Sequence, residues 1–473
     1  MLTLGYVTEV LGGQPIGGEV AITDVVINSR QAIPGALFVA LPGEQTDGHN
    51  YVADAFERGA VAALVSRDMA PDLRVIDLRT PPGREAGSLD LPICLRVENC
   101  LATLQTLAGA WRRRFDVRVI GVTGSVGKTS TKELTAEVLS RRYVTLKSEG
   151  SYNNEIGVPL TLLRLNEDHE CLVVEMGMYD AGEIADLCDM ALPHVGVVTI
   201  IAPVHAERAG TIERIVQAKT ELVEALPPAP EGVAILNRDD ERVMTMREHT
   251  QARVFTYGLN SSSDLWADGV KGLGLDGVRF WLHRGKERFQ IKVPLLGRHS
   301  VHTALRAAAV GLAEGLTWDE ILTGLQHSTA QLRLVAVRGP GGSVVLDDTY
   351  NASPDSVIAA LNLLAELEGR RVAVLGDMLE LGTYAESGHK RVGRRAAAVA
   401  DLLITVGELG RIIAREARLG GMTEKAVVAL DDSQAAIGFL LEHVRSGDVV
   451  LVKGSRALRM DCIVTALSEA AAT

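Results

Sequence analysis

Aromatic residues are scarce in this 473-residue chain: 7 Phe, 8 Tyr and 4 Trp, or 4%. A core with so few rings must be built from Val, Leu and Ala, which favours buried parallel sheets over an all-β sandwich. Cysteine is also rare, and none of the five (Cys94, Cys100, Cys171, Cys188, Cys462) forms a C-x-x-C pair. That usage favours free, buried thiols in a reducing compartment over a disulfide scaffold. No apolar run approaches the roughly 18 residues of a membrane span, and the N-terminus has no charged segment leading into an apolar one. A soluble, cytoplasmic protein without membrane insertion is expected. Positive charge is in deficit, with 48 Lys and Arg against 60 Asp and Glu and a net charge of −12. That balance argues against a protein that coats nucleic acid but leaves room for anionic small ligands. The length suits two or three domains, each large enough for its own core.

Against this background one stretch stands out. Residues 117–122 carry the β-branched residues of a buried strand, and 131–141 reads as a helix. Between them stand Gly124, Ser125, Val126, Gly127, Lys128, Thr129 and Ser130. Strand, glycine-rich turn, Lys-Thr pair and helix are the parts of a phosphate cradle. Glycines let main-chain N–H groups close around phosphate oxygens, and the helix N-terminus adds its dipole. Lys128 would reach the outer phosphates and the Thr129 hydroxyl would face Mg²⁺. The full G-x-x-x-x-G-K-[ST] spacing asks for glycine at 122, where Val122 stands, so this is a shortened variant. The chain is expected to bind a nucleoside triphosphate.

Residues 1–98 read as a first domain of short strands. Within it, Ser29 and Arg30 lead to a strand at 36–41, and Asp47, Gly48 and His49 follow in a loop. Turn chemistry accounts for the local Gly and Pro; alternatively, Arg30 and His49 hold an anion at strand ends. Residues 77–92 are rich in Pro, Gly and charge and read as a loop. Residues 99–329 alternate strands and helices, the pattern of an α/β domain with a mainly parallel sheet. It opens with a connecting helix at 101–114, and its later strands fall at 171–174, 195–201 and 233–236. Ligands of such sheets gather beyond the carboxyl ends of the strands, where Glu175, His205, Asn237 and Asp239 lie. Glu175 is either a magnesium ligand beside the P-loop or a solvated strand end, and His205 is as readable as a loop cap as a site residue. Lys219 sits mid-stripe on an apolar helix face with Ile215, Val216, Leu222 and Val223. It either snorkels outward or has a task. Burial lowers a lysine's pKa, and a neutral amine can take up CO₂ to form an anionic carbamate that ligates Mg²⁺. Residues 330–473 repeat strand–helix units, with strands at 344–346, 372–375, 402–406 and 449–452, as a Rossmann-like domain does. No G-x-G-x-x-G follows the first of these strands, so dinucleotide binding is not expected.

In order, T-G-S-V-G-K-T-S (123–130), Y-N-N-E-I-G-V-P (152–159), E-M-G (175–177), His205 with Lys219, D-D-T-Y-N (347–351) with Pro354, and G-D-M-L-E-L-G (376–382) resemble the ATP-dependent Mur ligases of peptidoglycan synthesis. The resemblance implies an α/β protein of three domains: a small uridine-nucleotide domain, a central P-loop ATPase and a C-terminal Rossmann-like domain. It implies ATP and Mg²⁺ as cofactors, and a monomer. Within the family the signatures are most similar to the member that joins D-Ala-D-Ala to a UDP-MurNAc-tripeptide; the D-N-P-R motif of the diamino-acid-adding member is missing. By resemblance, Lys128, His205 and Lys219 are catalytic, and Thr129, Glu175, His205 and Lys219 serve the metal. Residues 124–130 with Asn237, Arg333 and Asp348 contact ATP. Ser29, Arg30, Asp47, Gly48 and His49 match the pattern of the uridine-nucleotide domain, and Asn153, Asn154, Tyr350 and Asn351 bind the substrate, with the three asparagines holding its peptide. Two positions depart from the pattern. Asn28 stands where Asp is usual, and H-N-x-x-N reads His299-Ser300-Val301-His302-Thr303, with both asparagines replaced. A GTPase reading is disfavoured because N-R-D-D (237–240) is not the guanine-reading N-K-x-D. A folylpolyglutamate synthase, the nearer rival, has no need of a uridine-nucleotide domain.

Overall fold

The computed structural model describes every residue except 44–45, 81–89, 204–206, 208–209, 328–333 and 472–473. His205, Arg333 and most of the loop expected at 77–92 therefore lie outside the described residues. The chain forms two compact units. The first comprises residues 1–121, 143–177 and 183–194; the second comprises 122–142, 178–182 and 195–473.

In the first unit, strands Val25–Val26, Leu37–Val39, Ala62–Val65, Ile93–Arg96 and Val75–Asp77 lie side by side in that order, all parallel. The run Ala62-Ala63-Leu64-Val65 is buried at every position, as expected where both faces of a parallel sheet are covered. Phe38, Val52, Ala63 and Val65 pack one face. Helix Cys100–Arg112 follows directly on a short loop at 97–99, where the Asn99 side chain accepts the N–H groups of Leu101 and Ala102. Trp111 is buried between Tyr6 and Phe115, edge-on to each at 5.2 Å, and donates to the Leu165 carbonyl at 3.0 Å. Strand Cys171–Glu175 pairs in parallel with Thr145–Lys147.

In the second unit, strands Val195–Val198, Val233–Asn237, Arg253–Gly258 and Leu265–Gly272 are parallel neighbours. Strand Arg118–Thr123 crosses from the first unit into the second and delivers the P-loop to helix Lys128–Leu139. An antiparallel extension follows, Leu265–Gly272 with Val278–Arg284 and then Glu287–Val293. The parallel expectation holds for the strands nearest the P-loop and not for this meander. Its signal is the period of two at Val278, Phe280 and Leu282, all buried, with Gly285 (φ 56) at the turn. Helix Ser300–Ala313 and helix Trp318–Gln326 approach the P-loop helix through glycines. A Cβ at Gly324 would stand 2.8 Å from the Val138 Cα, and one at Gly311 3.1 Å from Val138 Cγ1.

The C-terminal sheet of this unit runs Val335–Arg338, Val344–Asp347, Asp448–Lys453, Arg370–Gly376, Leu402–Val406 and Val427–Leu430. All pairs are parallel except the first. Separate cores cover its two faces, one around Leu361, Leu375 and Leu451 and the other around Val374, Ile404 and Ile463. The two unforeseen strands are its edges, where short, half-exposed segments carry little hydrophobic periodicity. The five cysteines carry thiols rather than disulfides, and burial pushes the Cys94 and Cys100 thiols up to about 11. Among the described residues no helix is long and apolar enough to cross a membrane.

Candidate active site

The P-loop is held from beneath by the end of the neighbouring strand. Thr199 donates its N–H to the Thr123 carbonyl at 3.0 Å and its hydroxyl to the Val126 carbonyl at 2.7 Å. Ser125 is tied three times. Its N–H meets the Ile200 carbonyl at 2.8 Å, and its hydroxyl donates to the Ala202 carbonyl at 2.8 Å while accepting the Ala202 N–H at 2.9 Å. Ser125 therefore fastens the loop rather than presenting its hydroxyl to a ligand. Gly124 has φ 139, and a Cβ there would stand 1.8 Å from Thr199 Oγ1. Gly127 has φ 86 and caps the helix. Gly124→Ala is expected to cost about 1–3 kcal/mol from backbone strain alone, more with the clash, and to weaken ADP binding. Thermal melts with and without ADP check both effects.

Lys128 opens the helix and donates to the Gly124 carbonyl at 2.9 Å, curling back across the loop. Thr129 is buried in the next position. Lys219 lies in helix Ile212–Glu224, which Thr211 caps by accepting the Arg214 N–H. Ile215, Ala218, Leu222 and Val223 are buried around it, and Lys219 itself is only 3% exposed. The choice left open by the sequence is decided here: this lysine does not snorkel. Desolvation drives its pKa well below the ordinary 10.5, the positive charge of Lys128 pushes it the same way, and Glu221 opposes them. Two lysines, the pKa of one of them depressed by burial and by the other's charge, are thus brought together in the second unit.

Asn237 is a strut of the same floor. Its amide donates to the Thr199 carbonyl at 2.9 Å and its Oδ1 accepts the Asp239 N–H at 3.1 Å. Tyr257, fully buried, donates to the Val198 or Thr199 carbonyl at 3.1 and 3.0 Å. At the altered H-N-x-x-N positions, the Ser300 hydroxyl donates to the Leu296 carbonyl and Thr303 accepts from Arg306. His302 pairs with Asp239 at 2.8 Å. In the C-terminal sheet, Lys453, 2% exposed, binds the Asp348 carboxylate at 2.7 Å and the Asn351 carbonyl at 2.9 Å. Tyr350 is exposed, with the Arg456 guanidinium 5.6 Å above its ring.

In the first unit, Glu175 is fully buried at its strand end and its Oε1 accepts the Asn153 amide at 2.8 Å. A solvated strand-end glutamate is thereby excluded. Asn154 Oδ1 accepts the N–H of Gly157, the first residue of helix Gly157–Leu162, at 3.0 Å. His49 is buried with both ring nitrogens engaged. Nε2 accepts the Ser66 N–H at 2.9 Å, which places the proton on Nδ1, 2.6 Å from Asp47 Oδ1. Asp47 also takes the His49 N–H and Arg67, so its carboxyl sits below the usual range. His49 thus braces its loop through both ring nitrogens. Gly48 lies so close to Leu41 that a Cβ would meet its main chain at 2.8 Å. Ser29 is buried beside Asp54, while Arg30 on the same short helix is exposed.

Arg306, Thr199 and Lys453 were not singled out from the sequence. Arg306 had the same signal as Lys219, a lone cation within the small and apolar run Ala304 to Val310. Among the described residues no three His, Cys, Asp or Glu side chains are grouped as a metal site.

Three family descriptions match in chain order: "Mur ligase family, catalytic domain" at residues 21–107, "Mur ligase middle domain" at 122–311, and "Mur ligase, glutamate ligase domain" at 332–456. The UDP-N-acetylmuramoyl-tripeptide–D-alanyl-D-alanine ligase of Escherichia coli K12 is 35% identical, covering 99% of this chain and 98% of its own. The chain belongs to the Mur ligase family. A crystal structure of MurF from Acinetobacter baumannii superposes with a TM-score of 0.83 at 29% identity, over 99% of this chain and 98% of that one. MurF ligase from Thermotoga maritima, solved in complex with ADP, matches with a TM-score of 0.76 at 27% identity, over 95% and 98%. A Mur ligase has three domains of mixed α/β structure, in the order expected from the sequence, and the P-loop described above lies in the middle one.

Proposed function

We propose that this Mur ligase joins D-alanyl-D-alanine to UDP-N-acetylmuramoyl-tripeptide at the cost of ATP, the last cytoplasmic peptide addition to the peptidoglycan precursor. The carrying observation is end-to-end likeness to ligases of that name, with a built P-loop and a buried lysine, Lys219, whose pKa the charge of Lys128 helps to lower. Residues 1–98 would take the uridine nucleotide, 99–329 ATP, and 330–473 the closing side of the reaction.

The terminal carboxylate of the tripeptide attacks the γ-phosphorus of ATP, which forms an acyl phosphate and releases ADP. The dipeptide amine then adds to the acyl carbon, and phosphate leaves. The first step brings an anion to a polyanion, so cationic donors must be placed before reaction. Lys128 serves that need, with its stem already directed across the loop. Asn153, Asn154, Tyr350 and Asn351 are assigned to the peptide substrates. For the metal, Thr129 and a carbamate on Lys219 would offer, within the second unit, the oxygen donors that Mg²⁺ prefers, and Glu175 keeps the role the resemblance implies. His205 and Arg333 keep the roles the resemblance implies. Mg²⁺, when bound, offsets phosphate charge.

Purified enzyme with UDP-MurNAc-tripeptide, ATP and Mg²⁺ is expected to release phosphate only when D-Ala-D-Ala is added, with a product heavier by that dipeptide less water. Addition of a free diamino acid to the dipeptide precursor, or of glutamate to a folate, would overturn the assignment.

A further inference from the structure

Two arginines are buried among the described residues, Arg112 and Arg306, at 4% and 5% exposure. Arg112 spends its donors on main-chain carbonyls of Ala191, Phe115 and Val117 at 2.9, 2.9 and 3.1 Å. Among the described residues Arg306 has only hydroxyls as hydrogen-bond partners. Its Nε donates to Thr131 Oγ1 at 2.7 Å, its Nη2 to Thr303 Oγ1 at 2.9 Å, and its Nη1 reaches the Tyr257 hydroxyl at 3.4 Å. The two acids whose charge reaches Tyr257 are spoken for. Asp239 pairs with His302, and Asp240 accepts main-chain N–H groups from Ile201 and Arg242. A buried guanidinium among neutral partners is expensive to keep charged and calls for an anion.

Its position says which anion. A methyl group at Gly127 would stand 3.2 Å from Arg306 Nη2, so the guanidinium lies against the glycine that caps the P-loop helix. Thr131, which accepts from Nε, itself donates to the Gly127 carbonyl at 2.7 Å. Helix Ser300–Ala313 is otherwise small and apolar on this stretch, with Ala304, Leu305, Ala307 and Ala308 all buried. We propose that Arg306 is a nucleotide-positioning residue whose charge, held against Gly127, complements the bound triphosphate in a chain that carries Ser300 and Thr303 where the family has asparagines. The proposal rests on the ATP-dependent reading above. It assigns Arg306 to ground-state hold on the phosphates rather than to the reacting atoms.

Binding of ADP and of a non-hydrolysable ATP analogue, with steady-state kinetics, separates this from a purely structural brace. Arg306→Met keeps the stem and loses the charge; Arg306→Lys keeps the charge and loses the fork. In Arg306→Met the KM for ATP should rise roughly tenfold or more, kcat and the KM for D-Ala-D-Ala should stay near the parent values, and the analogue should lose more affinity than ADP. Arg306→Lys should recover most of the loss. Should the Met variant not fold, Arg306→Gln, which retains donors for Thr131 and Thr303, carries the same comparison. Equal losses for both nucleotides in the Lys and uncharged variants, or no loss in either, overturn the proposal. If the parent enzyme binds neither nucleotide, the ATP-dependent reading itself fails and takes this one with it.

Discussion

Lys128→Ala is expected to lower kcat/KM for ligation by on the order of 10²–10³, the usual cost of one lost donor aimed at developing charge. The fold should survive. The helix it opens is capped by Gly127 in the left-handed conformation, and Thr131 donates to the Gly127 carbonyl independently of Lys128. The loop beneath stays fastened by Thr199 and Ser125. What disappears is the ammonium that curls over the Gly124 carbonyl. A second effect should accompany the first. Lys128 is one of the charges that hold down the Lys219 pKa, so its removal lets that amine titrate at higher pH. A coupled assay for ADP release, circular dichroism and a melting curve make the test. A folded variant with near-parental turnover would remove Lys128 from the centre of the site.

The parts of this site legible in the sequence are those whose signals are local. The strand–loop–helix around 117–141 was readable because glycine, lysine and threonine carry it within a few residues, and the helix begins only three residues earlier than read, at Lys128. Lys219 was readable because a charged residue in an apolar stripe is an anomaly of period, and its burial answers the question the stripe posed. Arg306 presented the same anomaly on a helix of alanines and passed unnoticed, since no motif drew attention to that helix beyond 303. His49 was legible only in part. As a loop histidine beside Asp47 it suggested a ligand contact; its Nε2 partner is the Ser66 N–H, 17 residues on, and such non-local pairing leaves no mark on spacing. Thr199 was hidden for a related reason. The strand read as 195–201 ends at Val198, and the departure that follows is what turns the Thr199 hydroxyl to Val126. The antiparallel meander was legible in its alternation but was masked by the parallel pattern preceding it. Family likeness assigned roles; it could not say which of those side chains are already spent on their neighbours.

Replacing Lys219 should separate activity from stability. Lys219→Ala is expected to lose most ligation, roughly the 10²–10³ of a lost electrostatic element, and acetate should restore part of it. Lys219→Glu should keep a fraction, since it returns an anionic oxygen on a shorter stem. The reasoning starts from burial. The amine is enclosed by Ile215, Leu222 and Val223, and desolvation there, with the like charge of Lys128, drives its pKa well below the ordinary 10.5 and favours the neutral form. A neutral amine is a poor magnesium ligand and a good acceptor for CO₂, and the resulting carbamate is an oxygen anion that Lys128 attracts rather than repels. The same burial fixes the sign of the stability effect. With the folded pKa below the ordinary 10.5, the unfolded chain binds more protons between the two values, so this residue's stability contribution falls as pH drops below 10.5. Lys219→Met should therefore raise the melting temperature near neutral pH in CO₂-free buffer, and the gain should fade towards pH 10.5. Equilibration of the parent enzyme with ¹³C-labelled bicarbonate should give a carbamate resonance that Lys219→Met lacks. Full activity of Lys219→Ala, or inactivity that no carboxylate relieves together with an absent carbamate signal, would leave the buried lysine without its metal-linked task.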